Sequence, residues 1–269
     1  MGILGSRILS ALVLAPVAIA AVYWNPYALA ALAIVAGAIG AAEWSRLCGT
    51  GSEREIGVQI AATVIPTAVV PAAFALGDPS VPAAVAAVMV IAGAVIAGLM
   101  ATGARAWLMT GVIVVGLPCL ALAWMRVAAG ADAVMWLLGA VWATDVGAYV
   151  AGRTMGGPKL APRISPNKTW AGLGGGIVCA ALWSILFAEW RRDVPALPLA
   201  AILGVAAALM AQLGDLGISV VKRRFGVKDT GTLIPGHGGV LDRIDGLLTT
   251  APALALLLLL ASKDMPRPW

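Results

Sequence analysis

Asp242 and Asp245 stand three residues apart in LDRID, so a helix running through them would present both carboxylates on one face. Asp215 lies upstream inside LMAQLGDLGISVV, an otherwise apolar run. A carboxylate within a membrane helix costs at least ~2.5–3.5 kcal/mol on insertion scales, so it calls for a partner or a function. Magnesium is held by one or two carboxylates together with waters and phosphate oxygens. Asp215, Asp242 and Asp245 are therefore the candidate metal ligands and lead the candidate catalytic group, with Lys222 and His237 beside them. Ser219 follows Asp215 by four residues, on the same helix face, and Lys222 is a turn further. Lys222, Arg223, Arg224, Lys228 and Arg243 supply enough positive charge to cradle a polyphosphate. Gly236, Gly238 and Gly239 allow positive φ, and their amides could face an anion near the start of the last helix.

Plainer readings stand beside these. Asp215 paired with a lysine would simply hold two helices together. Arg224 and its neighbours could be positive-inside anchors, although that leaves the interspersed aspartates unexplained. His237, the chain's single histidine, suits a hydrogen-bonded loop position as well as catalysis, and one histidine does not make a metal site.

A second polar stretch, GRTMGGPKLAPRISPNKTWAG, is not a nucleotide-binding P-loop: Pro158 stands where the lysine should be and Leu160 where Ser or Thr should be. Ser165, Lys168 and Thr169 precede a helix and suit phosphate or ribose contact. A helix cap by Ser or Thr fits the spacing equally well. Gly172, Gly174, Gly175 and Gly176 read better as close helix packing than as nucleotide binding. Asp145, in VWATDVGAYVAG, is a further intramembrane carboxylate.

These residues must be positioned by helices in a bilayer. Hydrophobic residues make up 61% of the 269 and charged residues only 12%, about half the charge of a soluble domain. A hydrocarbon core about 30 Å thick needs roughly 20 apolar residues per helix. Nine apolar segments approach that length: about 8–24, 27–44, 57–77, 81–100, 106–125, 131–151, 171–190, 199–221 and 244–262. The expected class is all-α, a polytopic integral membrane protein with about nine transmembrane helices, and a β-barrel is excluded by the absence of alternating strands. No linker divides the chain, so residues 1–269 read as one integral membrane domain with the motifs in its C-terminal half, about 140–262. The first segment resembles a secretory signal but reads better as an uncleaved helix. Three dispersed cysteines indicate neither a disulfide framework nor a zinc site.

Alternating the connections between two sides places thirteen of the eighteen Lys and Arg residues on one side. That side should be cytoplasmic, with the N-terminus inside and the C-terminus outside. The two long polar connections, about 152–170 and 222–243, fall on it and hold nine of the eighteen.

SVVKRRFGVKDTGTLIPGHGGVLDRID, Ser219 to Asp245, resembles the signature of the phosphatidate cytidylyltransferases, the CDP-diacylglycerol synthases. Ser219, Lys222, Arg223, Lys228, Asp229, His237, Gly238, Gly239, Asp242, Arg243 and Asp245 meet that pattern. The match extends to Gly214-Asp215, to Ser165-Pro166-Asn167-Lys168-Thr169, and to Asp145 with Ala148-Tyr149. It covers about residues 145–245. The family's loop usually continues Glu-Gly, whereas Ala171-Gly172 stands here.

The resemblance implies that CTP and phosphatidate give CDP-diacylglycerol and pyrophosphate, with magnesium required and a second cation left open. Catalysis would rest on Asp215, Asp242, Asp245, Lys222 and His237. Ser165, Lys168, Thr169, Ser219, Arg223, Lys228, Asp229, Gly238, Gly239 and Arg243 would bind substrate. The expected partners are CTP, phosphatidate and membrane lipids, with no nucleic acid. The GxxxG-like spacing of Gly172 and Gly176 leaves a homodimer open. A short chain without a large soluble extension suits a bacterial inner membrane, with the active site facing the cytoplasm. The rival readings are a CTP-dependent lipid kinase and, from a different class, a cation-coupled transporter using Asp145 and Asp215. A CDP-alcohol phosphotransferase is excluded because Asp245-Gly246 is followed by Leu247, Leu248, Thr249 and Thr250.

Overall fold

A computed structural model describes residues 3–48, 51–75, 83–192, 197–233 and 238–261. Helices occupy the places of the apolar segments: α1 (Ile3–Trp24), α2 (Pro26–Leu47), α3 (Glu53–Ala75), α4 (Ala83–Met100), α5 (Arg105–Ala128), α6 (Ala131–Thr154), α7 (Trp170–Arg191) and α8 (Leu197–Arg224), then the short α9 (Leu241–Ile244) and α10 (Leu247–Ala261). Among the described residues six helices, α2, α3, α5, α6, α7 and α8, are long and apolar enough to cross a membrane, and the apolar stretches Val13–Trp24, Val85–Met100 and Leu247–Ala261 are shorter. The protein is a polytopic helical membrane protein. Its exposed side chains on these helices include Val88, Leu99, Leu182, Leu186 and Leu260, an outer surface suited to lipid rather than water. Exposed Trp24, Tyr27, Trp170 and Trp190 lie at helix ends, where aromatic rings favour the membrane interface.

Local chemistry fixes several helix ends. The Asn25 side chain accepts from the Ala28 amide at 2.8 Å, and Pro26 occupies the first helical position, where its missing N–H is no loss. Ser52 Oγ accepts from the Glu55 amide at 3.2 Å and starts α3. The connection after α6 is not wholly irregular: an antiparallel hairpin pairs β1 (Lys159–Ala161) with β2 (Ser165–Thr169).

The final segment departs from expectation. A single helix through Asp242 and Asp245 does not form; α9 ends at Ile244 and α10 begins at Leu247. Asp245 Oδ1 accepts from the Gly246 amide at 2.8 Å, a local bond that competes with the helical ladder. Gly246 also packs where an added Cβ would sit 2.9 Å from Val141 Cγ1.

The chain condenses as two compact units, one formed by residues 1–131 and 224–244 and the other by 132–223 and 245–269. In the first, α2, α3, α4 and α5 pack on one another, and α1 packs on α2. Val70, Val90, Ala94, Val112 and Leu120 form its apolar core. In the second, small residues bring helices together: an added Cβ at Gly176 would lie 3.0 Å from Thr144 O of α6, and one at Gly204 of α8 would lie 2.5 Å from Ala180 O of α7. Thr249 of α10 donates to Met210 O of α8 at 2.5 Å.

Candidate active site

In the second unit, Asp215 projects from α8 and meets Lys168 of β2, with Nζ 2.6 Å from Oδ2. Lys168 also donates to Gln212 Oε1 at 3.1 Å, and the Ser219 hydroxyl approaches Asp215 Oδ1 at 3.4 Å. Helical spacing explains why one face of α8 carries Gln212, Asp215 and Ser219. The lysine comes from a hairpin that the same helix helps to hold, because Arg223 Nε donates to Ile164 O at 3.1 Å. The side chains of Lys168 and Asp215 remain 17% and 31% exposed, so the pair is sheltered yet reachable by solvent.

Thr169 is the N-cap of α7: its hydroxyl accepts from the Gly172 amide at 3.0 Å, and the residue is buried. The helix cap that the sequence allowed for it is therefore formed. Ser165 lies in the hairpin register opposite Ala161. Asp245, at the junction before α10, stands within electrostatic reach of Asp215, Asp145 and Lys222. The Asp245 carbonyl packs directly onto Gly214, so the Gly-Asp pair in α8 is a contact point for this junction.

In the first unit, Asp242 is buried and its Oδ2 takes three donors: the Thr230 amide at 2.8 Å, the Thr230 hydroxyl at 3.0 Å and the Gly239 amide at 3.0 Å. Gly238 has φ +79°, and an added Cβ there would sit 2.7 Å from Asp242 Oδ2, so both its backbone angle and its space require glycine. Lys228, Asp229 and Arg243 are exposed. Gly236 and His237 lie outside the described residues.

The amides of this loop do face anions, but the anions are the protein's own. Besides Asp242, the buried Glu43 of α2 accepts from the Val240 amide at 2.8 Å, the Leu241 amide at 3.0 Å and the Thr230 hydroxyl at 3.2 Å. Sequence reasoning missed Glu43. The signal was available, because a carboxylate at the end of the segment 27–44 invites the same question as Asp215.

Among the described residues no three His, Cys, Asp or Glu side chains are grouped to hold a metal ion. Magnesium needs fewer protein ligands than that when a phosphate completes its shell. Asp215 and Asp245 offer hard oxygen donors within one unit, which suits that cation, whereas Asp242 Oδ2 is already engaged by loop donors.

Residues 5–261 match the model of the Cytidylyltransferase family. The chain is 43% identical over 172 residues to the phosphatidate cytidylyltransferase of Brucella suis, covering 60% of this chain and 61% of that protein. It is 46% identical over 124 residues to the one from Rickettsia bellii, covering 42% of this chain and 52% of that protein. Against the Staphylococcus saprophyticus protein of the same description it is 46% identical over 119 residues, covering 44% and 46% respectively. The matched stretches thus span about three fifths or less of these relatives' lengths.

Proposed function

Since the chain belongs to the Cytidylyltransferase family, we propose that it is a phosphatidate cytidylyltransferase, converting CTP and phosphatidate to CDP-diacylglycerol and pyrophosphate. The observation that carries this reading is the meeting of Lys168, from the polar hairpin stretch, with Asp215 and Ser219, from an otherwise apolar helix, at one face of α8.

In the proposed reaction a phosphate oxygen of the lipid attacks the α-phosphorus of CTP. A new P–O–P linkage forms, the bond between the α-phosphorus and its bridging oxygen breaks, and pyrophosphate leaves with the electron pair. A phosphate monoester is largely dianionic near pH 7, so the nucleophile needs no strong base. Lys222, Arg223 and Lys228 are assigned to the leaving pyrophosphate, as fixed positive charge placed where negative charge develops. Lys168, already against a carboxylate, is assigned to the nucleotide phosphates together with Ser165 and Ser219. Magnesium is proposed to be held by Asp215 and Asp245, supplying charge neutralisation on phosphate oxygens. Asp242 is assigned to shaping the Gly238–Gly239 turn.

The protein is placed in a bacterial inner membrane, like an enzyme whose lipid substrate keeps its acyl chains in hydrocarbon while its headgroup meets cytosolic CTP. Gly172 and Gly176 pack on Ala148 and Thr144 of α6, so their spacing supplies no argument for a homodimer.

The test is purified protein with phosphatidate in mixed micelles, magnesium, and CTP labelled at either the α- or the γ-phosphate. Label from the α-position in CDP-diacylglycerol, with release of pyrophosphate, is the expected result. Transfer of only the γ-label to lipid would replace this reading with that of a lipid kinase.

A further inference from the structure

Glu43 belongs to none of the polar stretches that suggested the activity, yet it contacts the loop that carries Lys228, Asp229 and the signature glycines Gly238 and Gly239. The loop between α8 and α9 bears Lys228, Asp229, Gly238 and Gly239, and α9 directly after it carries Arg243. Its beginning is anchored by Phe225, whose ring meets Trp107 edge-on at 5.2 Å, and Trp107 O in turn accepts from Trp44 Nε1 at 2.7 Å. Its end is anchored by Glu43, one residue before Trp44 on α2, through the Val240 and Leu241 amides and the Thr230 hydroxyl. Leu241 is fully buried beside Gly40, where an added Cβ would come within 3.0 Å of its Cδ2. Gly239 has room for no side chain, because a Cβ would lie 2.5 Å from Glu43 Oε2 and overlap the Thr230 hydroxyl.

The geometry points to Glu43 as a positioning residue: its carboxylate fixes the loop of Lys228, Asp229, Gly238 and Gly239, and the start of α9 behind it, in the shape that receives the triphosphate. The inference rests on the proposed activity for its function, but not for its geometry. Both oxygens are used as acceptors, Oε1 by Val240 and Oε2 by Leu241 and Thr230. Thr230 Oγ1 has one proton and two carboxylates in reach, Glu43 at 3.2 Å and Asp242 at 3.0 Å, so it joins the α2 anchor to the glycine turn. An amide side chain cannot reproduce this, because its NH2 end, whichever way it is turned, would face a backbone amide donor, that of Val240 or that of Leu241. Glu43 touches loop backbone rather than substrate, so its effect on reaction must pass through the loop.

The test compares wild-type protein with Glu43→Gln and Thr230→Val by hydrogen–deuterium exchange and by steady-state kinetics with varied CTP. Exchange at 239–241 should rise about 10-fold or more in Glu43→Gln while peptides from α3 and α5 keep their protection, since only a local anchor is lost. The KM for CTP should rise about 10-fold, and the double variant should be no worse than the more impaired single one. Were the residue only structural, the active fraction and kcat would fall with KM unchanged, and protection would be lost across the whole first unit; that result overturns the inference. Unchanged exchange at 239–241 also overturns it. If wild-type protein made no CDP-diacylglycerol, the activity reading would fail, while the exchange experiment would still decide whether Glu43 holds the loop.

Discussion

Lys168 and Asp215 illustrate what a single residue's type discloses and what it conceals. An aspartate inside an apolar run demands a partner, and Ser219 at helical spacing was legible as a neighbour. The lysine that neutralises it, 2.6 Å away, belongs to a hairpin forty-seven residues earlier, and helical periodicity says nothing about so distant a contact. Glu43 is a stronger case, since its acceptors serve Val240 and Leu241 nearly two hundred positions downstream. Replacing Lys168 with Met should lower CDP-diacylglycerol formation about 100-fold or more, by analogy with removal of one prearranged electrostatic group. Incorporation of α-labelled CTP into lipid measures this, and near-normal turnover would take Lys168 out of the site. Cys48 gives a prediction of another kind. Burial raises its thiol from 9.0 to about 12 at the end of α2. At pH 8 its thiolate fraction is then about 10⁻⁴, so maleimide should label it roughly 1,000-fold more slowly than an ordinary thiol. The stability linked to this proton is present below pH 9 and lost as pH rises towards 12. A variant with Cys119 and Cys179 replaced by Ala isolates Cys48, and fast labelling before denaturation would contradict its burial.

At the scale of elements, apolar run length located the helices to within a few residues, because bilayer thickness imposes it. The hairpin was not legible: strands of three and five residues carry too little alternation to read. Nor was the break at Asp245-Gly246, which depends on a side chain bonding its own neighbour's amide and on space beside Val141. The glycines of α7 were legible as packing residues, and the structure sorts them. Gly175 faces α6, where an added Cβ would overlap Ala151 and come 2.7 Å from Gly147 O, whereas Gly174 has open space around it. Gly175→Ala should therefore destabilise the protein by about 1–3 kcal/mol, the cost of overpacking a close contact. Gly174→Ala, one position away and chemically identical, should be neutral or stabilise by up to about 1 kcal/mol through helix propensity. Thermal unfolding in detergent compares them directly. Equal midpoints for the two variants would mean that α7 does not pack on α6 through this face.

For the whole molecule, the division into two compact units left no mark in composition, because the chain passes between them within or beside helices rather than through a linker. Charge distribution does speak at this scale. Thirteen of the eighteen basic residues gather on one side only if every apolar segment crosses, including α4, whose apolar stretch Val85–Met100 is short of a full span. Parity makes α4 decisive. With α4 crossing, the start of α3, the β-hairpin and the loop after α8 share the cytoplasmic side, and the end of α7 faces outward. If α4 were held within one leaflet, the start of α3 would face away from the hairpin, and Arg54 would be separated from Lys159. Single cysteines at Arg54, Lys159, Lys228 and Arg192, all exposed positions, in a background without native cysteines, read this with a membrane-impermeant maleimide. Arg54→Cys, Lys159→Cys and Lys228→Cys should label only in inverted vesicles, and Arg192→Cys only in right-side-out ones. Positive charge near a helix end favours the cytoplasmic face strongly enough to set orientation, so the three should behave alike. Labelling of Arg54→Cys from the side opposite Lys159→Cys would show that α4 does not cross, and would put the start of α3 outside while leaving the proposed active site in the cytosol.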